Sequence, residues 1–170
     1  MKSKENLVFL GMMGSGKSSI GLIVSKKLKL NFYDVDKIIE NDQKMKISKI
    51  FETKGEEFFR QIEKKITLNI LRRKKGVIAL GGGAFINQDI KKEVLKNHLS
   101  FWLNCEIDTL IDRIKNSKKR PLAVNSSKNV LIEIIKKRSI IYSKALYKID
   151  CENFTKQQIA KKIIDIYETN

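Results

Sequence analysis

The chain has 170 residues, 42% of them hydrophobic and 32% charged, and its 35 Lys and Arg residues against 19 Asp and Glu residues give a formal net charge of +16. This length and composition predict a single domain, residues 1–170, and exclude a disordered chain; no apolar stretch approaches the ~18 residues that cross a bilayer. The apolar run 7–10 stops at Gly11, too early for a secretory leader, so we expect a soluble, cytoplasmic protein.

Strand patterns and helix patterns alternate along the chain. Short apolar runs predict five strands, at residues 6–10, 31–35, 76–80, 99–103 and 147–151. Apolar residues at helical spacing predict helices between them, at residues 17–28, around 58–70, around 131–138 and near 156–167. Because parallel strands need crossover connections, this order predicts a three-layer α/β/α fold around a five-stranded parallel sheet, with ligands beyond the carboxyl ends of the strands.

A phosphate-binding loop is predicted between the first strand and the first helix. Residues 11–18 (GMMGSGKS) have the Walker A spacing, with Lys17 placed to bridge β- and γ-phosphate oxygens and Ser18 to hold Mg²⁺. A glycine turn that only starts a helix has no need for these two residues. We therefore predict ATP binding by the loop residues Gly14, Ser15, Gly16, Lys17, Ser18 and Ser19.

Two acids follow at the end of the second strand. Asp34 is placed to act with Ser18 on Mg²⁺, which takes oxygen ligands, and Asp36 to accept the proton of an attacking hydroxyl. An alternative interpretation makes Asp36 the N-cap of the next helix, and the two roles are compatible.

Cys105 and Cys151 are the only cysteines, and they lack metal-ligand spacing. Both fall at predicted strand ends. We expect them to pack as small apolar residues there rather than to act in redox chemistry.

Four later motifs extend this pattern: residues 56–63 (EEFFRQIE), 80–84 (LGGGA), 120–122 (RPL) and 137–142 (KRSIIY). Together with the phosphate loop and residues 34–36 (DVD), their order and spacing resemble the shikimate kinase family over nearly the whole chain. The resemblance implies transfer of the γ-phosphoryl group of ATP to the 3-hydroxyl of shikimate, in the chorismate pathway to aromatic amino acids. It also implies Mg²⁺ as cofactor and a monomer with no nucleic-acid or membrane partner.

The resemblance also implies roles for particular residues. Lys17, Asp36 and Arg120 are the catalytic candidates, and Arg113 and Arg120 join the phosphate loop in binding ATP. Residues 35–63 would form a substrate-binding helical segment and residues 114–128 a mobile lid. The candidates for contact with shikimate are Asp36, Arg60, Gly81, Gly82, Gly83 and Arg138.

Physical chemistry supports these assignments. A planar guanidinium matches a carboxylate with two parallel hydrogen bonds, so Arg60 and Arg138 suit a ring acid. The middle glycine, Gly82, would let the backbone approach the ligand. Glu63, three residues after Arg60 on a predicted helix, can fix that guanidinium, or the two can form an ordinary surface pair.

Two departures from the family pattern concern residues 139–142, which read SIIY where the family usually has APLY, and the segment after Cys151, which lacks the arginine or proline often found beside adenine. Another small-metabolite P-loop kinase, similar to gluconate kinase, is the nearest alternative. The net charge of +16 keeps a basic nucleic-acid-associated P-loop protein as an alternative from a different class.

Overall fold

The computed structural model describes residues 6–116 and 126–169, and within them the predicted strands form one parallel sheet. The strands are β1 (Leu7–Leu10), β2 (Phe32–Asp34), β3 (Val77–Ala79), β4 (Leu99–Asn104) and β5 (Tyr147–Asp150), in the spatial order β2-β3-β1-β4-β5. Every neighbouring pair is parallel, for example with Val8 opposite Ile78 of β3 and opposite Ser100 of β4. The predicted α/β/α fold is confirmed.

Helices cover both faces of this sheet. They are α1 (Lys17–Leu28), α2 (Val35–Gln43), α3 (Ile47–Arg73), α4 (Gln88–Asn97), α5 (Ile107–Lys115), α6 (Lys128–Tyr142) and α7 (Lys156–Glu168), with a 3₁₀ turn at Ala84–Ile86. Within the described ranges, none of these helices has the length and apolar character needed to cross a membrane.

The core consists of two apolar clusters, one on each face of the sheet. Successive side chains of a strand point to opposite faces, so Val8 and Leu10 of β1 join one cluster while Leu7 and Phe9 join the other. The first cluster includes buried residues of helices α2 to α6, and the second includes buried residues of α1 and α7. Strand β1 is thus buried on both sides at the centre of the sheet.

The strand order places the phosphate loop at the centre of the carboxyl edge. From β1 the chain passes to β2 on one side of the sheet, and from β3 it crosses to β4 on the other side. In open parallel sheets ligands bind where such connections diverge, beyond the carboxyl ends of the strands. The loop after β1 opens into this crevice.

Gly55 divides α3 into two helical segments. Its backbone has φ 83° and ψ 169°, a combination that strongly favours glycine, and a Cβ there would meet no atom within 4 Å, so the requirement comes from the backbone and not from crowding. The predicted substrate-binding segment, residues 35–63, therefore comprises α2, the first segment of α3, the turn at Gly55 and the beginning of the second segment. The second segment continues to Arg73 and packs on the core through Phe59 and Ile70.

A buried polar cluster lies at the opposite edge, where β1 and β4 begin. The side chains of Asn6 and His98 are both 1% exposed, and the Asn6 amide nitrogen lies 3.2 Å from His98 Nδ1. Glu93 lies 3.8 Å from His98 Nε2 and accepts hydrogen bonds from Asn97 and Arg72. Burial alone would raise the pKa of Glu93, but these two hydrogen bonds and the Arg72 charge outweigh it and lower the pKa.

Candidate active site

The phosphate loop follows β1 and ends at the start of α1. Its three glycines, Gly11, Gly14 and Gly16, have φ of 141°, 80° and 96°, values that residues with a Cβ atom rarely adopt. Lys17 is the first residue of α1 and is largely buried, with its ammonium donating to the carbonyl oxygens of Gly11 and Met12 at 2.8 Å each. The cation is thereby held across the mouth of the loop, where the amino end of α1 also favours anions.

A cavity of about 430 Å³ opens beside this loop, and we call it the nucleotide cavity. It is lined by Gly14, Gly16, Lys17, Ser18, Ser19, Asp34, Asp36 and Arg113, all singled out from the sequence, and also by Lys156. Ser15 does not line it but lies beneath, 2% exposed, with its backbone N–H donating to Met12.

Two basic side chains reach the nucleotide cavity from other elements. Arg113 of α5 donates to the Gly14 carbonyl at 3.0 Å, which fixes the arginine against the phosphate loop. Lys156 is the first residue of α7. Lys156 could not be predicted from the sequence, because nothing in the local pattern distinguishes it from the many other lysines of this chain.

Asp34 has a structural role that the sequence analysis gave to Asp36. The N-cap of α2 is Asp34, whose Oδ1 accepts from the Lys37 N–H at 3.3 Å, while Asp36 lies in the first turn. The prediction of Asp36 as the cap is therefore wrong. The helix begins two residues earlier than that alternative required, because Asp34 ends β2 in an extended conformation that a cap residue needs.

The nucleotide cavity has oxygen donors that fit Mg²⁺. Ser18 and Asp34 line the same cavity, and capping through one oxygen of Asp34 leaves lone pairs of the carboxylate for other contacts. Among residues 6–116 and 126–169, no group of three or more His, Cys, Asp or Glu side chains could hold a metal ion by themselves. A metal ion here would rely on phosphate and water oxygens for its other ligands, as Mg²⁺ commonly does.

A second, larger cavity of about 620 Å³ adjoins the first, and we call it the acid cavity. Asp36, Arg60, Gly82, Gly83 and Arg138 all line it, so α2, α3, the turn after β3 and α6 bring together most of the predicted substrate residues. Met13 and Asp36 line both cavities. Asp36 therefore lies at their boundary.

Arg60 is held by two glutamates. Its Nη1 donates to Glu63 at 2.7 Å, and its Nη2 lies 3.3 Å from Glu56. The side chain of Glu63 is only 4% exposed, whereas that of Arg60 is 36% exposed. Burial by itself would lower the pKa of Arg60, but the charges and hydrogen bonds of Glu63 and Glu56 outweigh it and raise the pKa. The geometry thus supports the positioning of Arg60 by Glu63. It excludes the alternative that the two residues form an ordinary surface pair, because Glu63 is buried.

The glycine triplet after β3 allows close packing at its two outer residues. A Cβ on Gly81 would lie 2.7 Å from both Asp36 Oδ1 and Glu63 Oε1, and a Cβ on Gly83 would lie 2.5 Å from Arg60 Nη1. Gly81 is not among the residues that line the acid cavity, so its part is to make room for the two acids. From the sequence, the middle glycine, Gly82, was instead expected to be the one that allows the backbone to approach the ligand closely.

Gly82 contributes its carbonyl oxygen. This oxygen accepts from Arg138 Nη1 at 3.3 Å and from the Tyr142 hydroxyl. Both donors are on α6, which is regular through Tyr142 despite the sequence departure at residues 139–142. Arg138 is thereby aimed at the acid cavity, and Tyr142 is a positioning residue that the sequence analysis had not identified.

Apolar side chains form the remaining wall of the acid cavity. Phe51 and Phe59 lie with ring centroids 4.7 Å apart, and Met12, Leu131 and Ile134 complete the wall. A ligand with a carbon ring and a carboxylate can contact apolar atoms on one side and guanidinium groups on the other. Arg120, together with residues 117–125 of the predicted lid, lies outside the described residues.

A parallel sheet with a phosphate loop after its central strand, and a second cavity with an acid and two arginines beside it, defines a P-loop kinase for a small anionic acceptor. Comparison with known proteins narrows this class. A family model described as shikimate kinase matches residues 13–168 of the 170.

Curated relatives and solved structures agree with the family model. The chain is 40% identical over 159 residues to a shikimate kinase of Bartonella henselae, covering 93% of this chain and 76% of that protein. It is 39% identical over 165 residues to a shikimate kinase of Thermodesulfovibrio yellowstonii, covering 96% and 95%. A solved shikimate kinase from Acinetobacter baumannii in complex with shikimate superposes with a TM-score of 0.92 at 27% identity, covering 99% of this chain and 96% of that one. This chain belongs to the shikimate kinase family.

Proposed function

We propose that this chain transfers the γ-phosphoryl group of ATP to the 3-hydroxyl of shikimate, giving shikimate 3-phosphate and ADP for the chorismate pathway. The observation that carries the proposal is the position of Asp36 on the boundary between two cavities. One cavity contains the phosphate loop and the other contains Arg60 and Arg138. An acceptor hydroxyl beside Asp36 would therefore face the terminal phosphate of ATP.

The acid cavity suits a carboxylated ring with hydroxyl groups. Arg60 and Arg138 each present a guanidinium, which pairs with a carboxylate through two parallel hydrogen bonds. The apolar wall around Phe51 and Phe59 accepts the carbon skeleton, and Asp36 accepts hydrogen bonds from hydroxyls. The A. baumannii shikimate kinase of the same fold is described in complex with shikimate.

Phosphoryl transfer would use the residues at the boundary. The acceptor oxygen attacks the γ-phosphorus, the bond from this phosphorus to the bridging oxygen of ADP breaks, and the hydroxyl proton passes to Asp36. Lys17 stabilises the negative charge that spreads over the phosphoryl oxygens. Arg120 would add a second cation from the lid. Mg²⁺, held by Ser18 and Asp34, would neutralise phosphate charge when bound.

We propose a monomer as the working unit, because every residue assigned to ATP or to shikimate comes from the same chain. We propose a cytoplasmic enzyme whose partners are the small molecules ATP and shikimate. The net charge of +16 would favour the approach of both, because both are anions.

The test is ADP release from ATP and Mg²⁺, measured separately with shikimate, with gluconate and with a single-stranded oligonucleotide. We expect stimulation by shikimate alone. Stimulation by the oligonucleotide without any response to shikimate would reject the proposal, and a preference for gluconate would move it to the alternative small-metabolite kinase.

Variants test the assigned roles within the same assay. Asp36→Asn should lower kcat strongly while nucleotide affinity stays near normal, because the carboxylate acts on the acceptor and not on ATP. Arg138→Ala should mainly raise KM for shikimate. Normal kinetics of Asp36→Asn would remove this residue from the catalytic assignment.

A further inference from the structure

Cys105 and Cys151 lie side by side immediately beyond the carboxyl ends of β4 and β5. The last registered pair of these strands is Asn104 opposite Asp150, and their side chains hydrogen-bond at 2.6 Å. The Cys151 N–H then donates to the Asn104 carbonyl at 2.9 Å, so the pairing continues past this register. The next residues on the two strands are the cysteines, whose side chains project to the opposite face from Asn104 and Asp150.

This placement puts the two cysteines on adjacent strands, within the separation that a disulfide can span. Neighbouring strands lie about 4.8 Å apart, and a disulfide needs Cα atoms about 4.4–6.8 Å apart with side chains directed toward each other. The chain contains two cysteines in all, both present as free thiols. A disulfide within one molecule can therefore join only Cys105 to Cys151.

The two thiols have different environments. Cys105 is 6% exposed, with Sγ 3.6 Å from the Ser15 carbonyl oxygen and 3.9 Å from Arg113 Nη1, whereas Cys151 is partly exposed. The hydrogen bond from the Cys151 thiol, together with the Arg113 charge, lowers the pKa of Cys105 although burial opposes this. The same hydrogen bond raises the pKa of Cys151, and burial adds to it. Cys105 is thus the more acidic thiol of the pair, and it forms a thiolate more readily than Cys151.

We propose that Cys105 and Cys151 form a modification site beside the phosphate loop, where a peroxide oxidises the two thiols to an intramolecular disulfide that weakens ATP binding. This proposal reverses the expectation from the sequence that both cysteines only pack as apolar residues. The sequence spacing gave no reason to pair them, because 46 residues separate them and only the register of β4 and β5 brings them together.

The oxidation balances with hydrogen peroxide as the oxidant. The Cys105 thiolate attacks one peroxide oxygen, an S–O bond forms, the O–O bond breaks, and the departing hydroxide takes a proton to become water. Cys151 then loses its proton and attacks the sulfenic sulfur, displacing hydroxide, which leaves as a second water. Two thiols and one peroxide give one disulfide and two waters. Conversion of the Cys105 thiolate to a neutral sulfenic acid removes the hydrogen bond to a thiolate, and the charge, by which Cys105 raises the pKa of Cys151.

The effect on ATP follows from what Cys105 touches. A disulfide brings the two sulfurs to about 2.05 Å, so its formation displaces Cys105 Sγ toward Cys151 from the position in which it contacts the phosphate loop. Its contacts to the Ser15 carbonyl and to Arg113 are then lost or weakened. Arg113 also holds the Gly14 carbonyl at 3.0 Å and lines the nucleotide cavity. Neither cysteine lines either cavity, but Cys105 contacts Arg113, which lines the nucleotide cavity and not the acid cavity, so shikimate binding should be unaffected.

The experiment treats the reduced full chain with hydrogen peroxide, quenches with catalase, and then measures three properties. These are the number of titratable thiols after denaturation, the intact mass, and the affinity for a fluorescent ATP analogue. We expect both thiols to be lost, a mass decrease of two hydrogen atoms, and an ATP-analogue affinity that falls by about fivefold or more, the lower end of typical coupling between sites. Dithiothreitol should restore the starting values.

Single serine variants test the order of the steps. Cys151→Ser should accumulate a sulfenic acid at Cys105 that dimedone traps, and Cys105→Ser should keep its remaining thiol under the same exposure. The measurements on the wild-type chain stand by themselves if either variant fails to fold.

Three outcomes would overturn the proposal. They are retention of both thiols in the native chain, a disulfide that joins two chains, and an oxidised monomer with unchanged ATP-analogue affinity. Thiol loss and mass are measured without substrate turnover. A chain that forms the disulfide but does not phosphorylate shikimate would therefore fail the proposed function and leave the modification site intact.

Discussion

Alanine at Gly81 tests the packing that fixes the two acids at the boundary of the cavities. The added Cβ would lie 2.7 Å from Asp36 Oδ1 and from Glu63 Oε1, whereas ordinary contact begins at 3.4 Å. The oxygens therefore have to retreat by about 0.7 Å, the difference between these distances. Gly81 is not among the residues with positive φ, so its backbone conformation suits alanine and the effect is one of contact alone. Glu63 is buried and paired with Arg60, so its retreat disturbs Arg60 while the retreat of Asp36 displaces the proposed base.

The expected cost follows from this displacement. A misplacement of about 1 Å in a positioned group costs on the order of 10²-fold in rate, so kcat/KM for shikimate should fall by about 10- to 100-fold in Gly81→Ala. ATP affinity should stay unchanged, because the atoms nearest to the added Cβ belong to Asp36 and Glu63 and not to the phosphate loop. Steady-state ADP release and binding of a fluorescent ATP analogue give the two quantities, and a thermal melt checks that the variant is folded.

The adjacent substitution Gly83→Ala is the matched control. Its Cβ would lie 2.5 Å from Arg60 Nη1, but this side chain is 36% exposed and can swing outward. We therefore expect a higher KM for shikimate with a smaller change in kcat than in Gly81→Ala. Wild-type kcat/KM in a folded Gly81→Ala enzyme would refute the reasoning, since it would mean that Asp36 tolerates displacement.

Three other substitutions test single contacts. Glu63→Gln keeps a hydrogen bond to Arg60 but loses its charge, which should cost about 1 kcal/mol, or about fivefold in KM for shikimate, with unchanged ATP affinity; an unchanged KM would contradict it. Asp34→Asn keeps the N-cap, so the melting temperature should hold while the Mg²⁺ concentration for half-maximal activity rises, and an unaltered Mg²⁺ response would exclude Asp34 from the metal site. Because folding lowers the pKa of Glu93, its carboxylate stabilises the folded state at pH values above its pKa in the unfolded chain. This stabilisation is lost as the pH falls through the pKa of the folded state. Chemical denaturation from pH 6 downward should therefore show that the free energy of unfolding falls less at acid pH for Glu93→Gln than for wild type. The same fall in both proteins would contradict this expectation.

The sequence was sufficient for features that depend on local pattern and on parallel-sheet topology. Each strand lies within its predicted range or one residue beyond it, because apolar runs bounded by polar residues and turns define strands directly. The phosphate loop was found for the same reason, since its spacing reflects the geometry of one turn. Arg60 and Arg138, 78 positions apart, reach the same cavity as expected, but this expectation came from the resemblance to a family and not from either residue's surroundings.

Features that depend on contacts between distant segments could not be predicted. The need for glycine at Gly81 arises from side chains of α2 and α3 that lie above it, and no local pattern encodes that crowding. Lys156 reaches the nucleotide cavity because α7 begins beside it. The pairing of Cys105 with Cys151 depends on the register of two strands. Each case needed the relative positions of elements, whereas the sequence supplied only their identity.

The separation of Asp34 and Asp36 by one residue explains how the end of one strand serves both cavities. Asp34 is in the extended conformation of an N-cap and lies on the nucleotide side, while Asp36 is inside the first turn of α2 and lines both cavities. Each residue added to a helix turns the next side chain by about 100°, so an aspartate at position 35 or 37 would point away from the boundary. The residue between them, Val35, is fully buried in the core, so packing determines that this position is apolar. The motif is therefore a property of a strand that passes directly into a helix, and its chemistry depends on that junction having no intervening loop.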